Sequence, residues 1–142
     1  MAFDESIRAI TLDADSSLNV YTGVSGQPGA PADHGGHQYE FVKVTGSRIC
    51  GLATAAANEV VVGVLQNKPQ YLGNACSVAI SGVSQVRVGS GGLAAGDAVK
   101  VDSSGRGVTA TLPGDAAVVV GVCLIAAATA DNIATVLLRV KG

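Results

Sequence analysis

Residues 60–65, Val-Val-Val-Gly-Val-Leu, return as Val118-Val-Val-Gly-Val-Cys123, and at the same spacing Ser77-Val-Ala-Ile80 returns as Thr135-Val-Leu-Leu138 without a gap. Valine-rich strands resemble one another through composition alone. Two strand-like segments repeated at one spacing nevertheless predict a pseudo-symmetric body built of paired strand units.

The material between and around the copies agrees with strands. Only five residues of 142 are aromatic, so a core has to be filled by Val, Ala, Leu and Ile, while 19 glycines supply corners. Val83–Val88 and Ala98–Val101 are short β-branched runs closed by turn residues. Between and after them, Gly96-Asp97 and Asp102-Ser-Ser-Gly105 read as corners, with Gly96 and Gly105 free to take a left-handed backbone. Tyr39–Val44 and Arg48–Ala53 read as two further strands, with Tyr39 and Phe41 on one side of the first. Thr54-Ala-Ala-Ala-Asn58 is long enough for one helical turn but too short for a stable helix. The expected fold is all-β: a small antiparallel β barrel or β-tulip-like body over residues 38–142, with residues 1–37 as an extended N-terminal arm.

The arm differs in chemistry from the body. Residues 1–42 hold one Arg against six acids, whereas residues 43–142 hold eight basic residues against five acidic ones. Residues 8–14 and 18–21 alternate as short strands, with Ile10, Leu12, Leu18 and Val20 apolar and no partner strand evident nearby. Residues 22–37 are rich in Gly and Pro and have too little apolar surface to offset the entropy of ordering.

Catalytic and cofactor chemistry finds no support. His34-Gly-Gly-His37 has only Asp33 nearby as a third ligand and reads as a solvated loop. Asp13-Ala-Asp15-Ser-Ser opens like a calcium loop, but Leu18 stands where the sixth position needs Gly and Val24 where the twelfth needs Glu. There is no Gly-x-Ser-x-Gly elbow, and Gly89-Ser-Gly-Gly92 leads into Leu-Ala-Ala-Gly-Asp rather than into a helix with Lys-Ser or Lys-Thr. No cofactor, metal or catalytic residue is therefore expected, and the chain is read as not an enzyme. A net charge of −2 gives no basic footprint for nucleic acid, and Arg87, Arg106 and Arg139 read as edge cations or contacts for an acidic partner. No apolar run approaches a membrane span, and Met1-Ala-Phe-Asp-Glu-Ser6 has no secretion-signal pattern, which points to synthesis in a reducing cytoplasm. Cys50, Cys76 and Cys123 each lie in an apolar run, where a thiol acts as a small buried hydrophobe.

One ordered series carries a family resemblance: Val64-Leu-Gln-Asn-Lys-Pro69, Ser81-Gly-Val-Ser84, Leu93-Ala-Ala-Gly-Asp-Ala-Val99, Val101-Asp-Ser-Ser-Gly-Arg106 and Val120-Gly-Val122. Over roughly residues 39–140 the chain resembles the capsid decoration (cement) proteins of tailed phages. The resemblance implies a structural virion protein, made in the host cytoplasm, that binds the outer surface of the assembled icosahedral head and stabilises it. It further implies the major capsid protein as partner and homotrimers at threefold or quasi-threefold positions, with no nucleic acid or membrane bound. With the arm reading, it makes Ile10, Leu12, Leu18, Val20, Tyr21 and Tyr39 candidate capsid contacts, and Gly96, Asp97, Asp102 and Gly105 structural turns. A host- or glycan-binding module of the virion surface is the alternative.

Overall fold

A computed structural model describes residues 7–18 and 37–139. Nine strands follow one another: β1 (Arg8–Ala14), β2 (Phe41–Gly46), β3 (Ile49–Leu52), β4 (Val61–Leu65), β5 (Ala75–Arg87), β6 (Ala98–Val101), β7 (Gly107–Thr109), β8 (Gly121–Ile125) and β9 (Ile133–Leu138). Single 3-10 turns occupy Ser16–Leu18 and Ala116–Val118, and the described residues contain no α-helix. The all-β barrel expected from the sequence is the fold observed.

The strands are hydrogen-bonded in the order β1-β3-β2-β4-β5-β9-β8-β6-β7, and β1 also pairs with β5. That extra pairing closes β1, β3, β2, β4 and the first half of β5 into a five-stranded barrel. The second half of β5 repeats the arrangement with β9, β8, β6 and β7, brought round by a parallel bridge between Val88 and Gly107. The long strand β5 thus serves both barrels.

The two barrels are copies of one another in register. Val64 pairs with Ala79 and Leu65 with Val78; their repeat counterparts pair as Val122 with Leu137 and Cys123 with Val136. Val42 pairs with Gly63 and Leu52, as Val99 pairs with Gly121 and Thr109. β1 corresponds to the second half of β5: Leu12 faces Cys76 as Val86 faces Ala134, and Ala14 bridges Cys50 in parallel as Val88 bridges Gly107. Corners repeat as well. Arg48 (φ 62°) stands where Gly105 (φ 77°) does, Tyr39 (φ 68°) where Gly96 (φ 90°) does, and Gly73 (φ 82°) where Asp131 (φ 69°) does. The backbone demands a left-handed residue at each site, and glycine fills one member of every pair without a Cβ penalty. Tyr39 therefore turns into β2 rather than lying within it beside Phe41.

Even a side-chain clasp is duplicated. Lys43 Nζ donates to Glu59 Oε2 at 2.7 Å while the Thr54 N–H donates to the same carboxylate. In the second barrel Lys100 Nζ and the Thr111 N–H both donate to Asp115 Oδ2 at 2.8 Å. The Ala-rich segment after β3 is accordingly a turn, with Ala55 and Asn58 at positive φ, and not a helical turn.

Each barrel is filled as the composition requires. The first encloses Ala14, Leu18, Val42, Cys50, Leu65, Cys76 and Val78. The second encloses Val86, Val88, Leu93, Val99, Val101, Cys123, Ala134 and Val136. Each fully buried Val or Leu contributes about 1.5–3 kcal/mol. All three cysteines are free and buried. Residues 8–14, expected to lack a partner strand, have two: β1 pairs with β5 from Arg8 to Asp13 and with β3 at Asp13 and Ala14, and Ala14 and Leu18 seal the first core.

Candidate interaction surface

Surfaces that are covered in one barrel are open at the equivalent place in the other. In the second barrel, one end is shut. Ser84, Val101, Val120 and Leu138 are buried there. The three apolar ones share a core with Phe41, Ala53, Val64 and Ala79 from the first barrel's outer face. Hydrogen bonds cross the same seam: Phe41 N–H to the Gly105 carbonyl at 2.7 Å, Arg87 N–H to the Tyr39 carbonyl at 2.8 Å, and Gln66 Nε2 to Ser84 Oγ at 2.9 Å.

The equivalent end of the first barrel is open. Ile10, Val44, Val62 and Ile80 correspond to Ser84, Val101, Val120 and Leu138, and all four line a groove of about 740 Å³ together with Lys43, Glu59, Val60 and Val61. Val44 is 54% exposed where Val101 is 8%, and Ile10 is 37% exposed where Ser84 is 2%. The charged groups at the rim, Lys43 and Glu59, are already paired with each other, and Asn58 is the other polar residue of the lining. What is left is apolar surface, which marks contact sites on soluble proteins. A second groove of about 460 Å³ runs between the barrels, lined by Val60 and Val118, which hold the same place in the two copies.

Of the described residues singled out in the sequence as capsid contacts, Ile10 alone lines the open mouth. Leu12 is half-buried against the first core, Leu18 is fully buried and not presented to any partner, and Tyr39 is half-buried in its corner. Val20 and Tyr21 lie outside the described residues, as do Asp33 and His34. The corner residues are bonded as turns. Asp97 accepts from the Ala94 N–H at 3.0 Å and from Thr109 Oγ1 at 2.9 Å. Asp102 accepts from the Ser104 and Arg106 N–H groups at 2.8 and 2.9 Å. Arg106 is held by Asp102 and Asp131. Val44, Val62 and Ile80 were not legible as surface residues, because their alternation matches that of the buried strand positions.

Among the described residues no group of three or more His, Cys, Asp or Glu could hold a metal ion. A hydrogen bond between the two thiols of the first barrel lowers the pKa of Cys50 and raises that of Cys76, and burial raises that of Cys123. Cys50 and Cys76 are fully buried, so neither is presented as a nucleophile.

The chain has the fold of a phage head-fiber base. It is similar to the N base of head fiber gp8.5 of bacteriophage phi29, with a TM-score of 0.57 and 18% identity over 94% of this chain and 95% of that one. No protein-family model matches the chain, and no curated protein matches it.

Proposed function

We propose that this chain is a structural protein of a tailed-phage virion, a decoration protein that binds the outer surface of the assembled head and stabilises it without catalysis. The observation that carries this reading is the end-to-end agreement in fold with the phi29 head-fiber base, covering both barrels rather than one. The ordered motifs at residues 64–69, 81–84, 93–99, 101–106 and 120–122 support the same assignment. The partner is the major capsid protein, and the working unit is a homotrimer at threefold or quasi-threefold positions. An exposed apolar groove beside paired rim charges suits a protein-to-protein contact.

The test is sedimentation of purified protein with heads assembled without it. Expected outcomes are saturable co-sedimentation and a higher temperature of head rupture. Failure to bind heads, with retention on host envelopes or glycans instead, would replace this reading by the host-binding one.

A further inference from the structure

We propose that copies of this chain join head to tail, the outer face of one copy's second barrel closing the open mouth of the next copy's first barrel. The contact is one the chain already makes with itself. Internally, Phe41, Val64 and Ala79 of the first barrel are buried against the end of the second, where Val101, Val120 and Leu138 lie. Repetition supplies both surfaces a second time. The counterparts of Phe41, Val64 and Ala79 are Ala98, Val122 and Leu137, which are all half-exposed. The counterparts of Val101, Val120 and Leu138 are Val44, Val62 and Ile80, which line the larger groove.

Apart from Ala53, whose counterpart Ala110 is itself buried, each half of the internal interface therefore has an unmatched twin at the other end of the molecule. The corner that reaches across the internal seam follows the same rule: Gly105 is buried there, while its counterpart Arg48 is exposed. A heterologous contact of this kind propagates, and it ends in a ring when the rotation closes. With two barrels per chain, three copies would place six barrels in one ring. The inference supplies the contact for the trimer proposed above and rests on that self-association, not on the capsid partner.

Light scattering on the full chain and on Val44→Asp and Leu137→Asp tests it. Wild type should form a closed oligomer. Each variant alone should be monomeric with an unchanged circular dichroism spectrum, its dissociation constant raised about 100-fold or more by a carboxylate buried without a partner. An equimolar mixture should form a one-to-one dimer, because one intact mouth then meets one intact outer face. If Leu137→Asp does not fold, Ala98→Glu tests the same face. A wild-type monomer, or variants that assemble alone, would overturn the proposal, as would a mixture that fails to pair. A ring of another size would overturn the trimer and leave this contact standing, and head binding is read separately by sedimentation.

Discussion

Gly63 and Gly121 hold the same place in the two barrels. A Cβ on Gly63 would be driven into the carbonyl oxygen of Ala79, and one on Gly121 would lie 2.5 Å from the carbonyl oxygen of Leu137. Ala79 and Leu137 are themselves counterparts, and the next neighbours, Val78 and Val136, match as well. The Gly at the centre of the repeated Val-Val-Val-Gly-Val motif thus marks a close approach of two strands. Gly63→Ala and Gly121→Ala should each cost about 1–3 kcal/mol or more, with Gly63 the worse of the two. Denaturant midpoints of the single variants check this. A neutral Gly63→Ala would mean that β4 and β5 do not approach as described.

The duplicated clasp gives the fold an acid-sensitive element. Burial raises the pKa of Glu59, but the bonds donated by Lys43, Thr54 and the Ala55 N–H outweigh it and hold it below the ordinary carboxylate value. Asp115 is lowered by Lys100 first and then by the Thr111 N–H. For carboxylates depressed on folding, the unfolded chain takes up protons first. Their contribution is therefore complete above about pH 5 and falls away as pH drops through the ordinary carboxylate range near 4 and below. Urea midpoints taken from pH 7 to pH 3 should fall over that interval. Glu59→Gln should be less stable at pH 7 and show a flatter acid limb; an unchanged acid limb would remove Glu59 from the effect.

The repeat was legible in sequence only where the strands themselves are alike. Residues 60–64 and 118–122, which lead into or through β4 and β8, share Val-Val-Val-Gly-Val, and both copies keep the same distance to the next strand. Between Thr54 and Val60 the second copy is one residue longer, so Lys43, Thr54 and Glu59 do not align with Lys100, Thr111 and Asp115 at the spacing set by the valines. β1 and the second half of β5 share almost no residues, because pairing in a barrel is decided by alternation and backbone bonds rather than by identity. The open mouth was hidden for a different reason. Val44 and Val101 look equivalent as residues, and only the packing of one barrel on the other decides which of them meets solvent.

Burial of the N-terminal segment sets a stability requirement that an independent arm would not have. Leu18 is fully buried among Ala14, Val42, Cys50 and Leu65. Leu18→Ala should therefore cost about 2–5 kcal/mol. A chain starting at Gln38 lacks β1 altogether, and the first barrel then loses its closure to both β3 and β5. Such a chain should show no cooperative thermal transition for the first barrel. A cooperative melt at the wild-type temperature would show that β1 contributes nothing to that core.

The first barrel carries one stretch that the second lacks. Leu18 N–H bonds to the Asp15 carbonyl at 3.3 Å, as Gly92 N–H bonds to Gly89 at 3.2 Å. Glu40 N–H bonds to the His37 carbonyl at 3.0 Å, as Asp97 N–H bonds to Ala94 at 3.1 Å. Between these matched turns the second barrel uses Leu93 alone, and the first uses residues 19–36, which lie outside the described residues. Replacing residues 19–36 by one small residue should then leave both barrels intact. Loop-closure entropy falls by about 0.6 kcal/mol for each halving of length, so the shortened chain should melt at or slightly above the wild-type temperature. Loss of the cooperative transition would show that the two junctions are not equivalent. Retention of the melt with loss of head binding would place attachment in the inserted residues and not in the barrels.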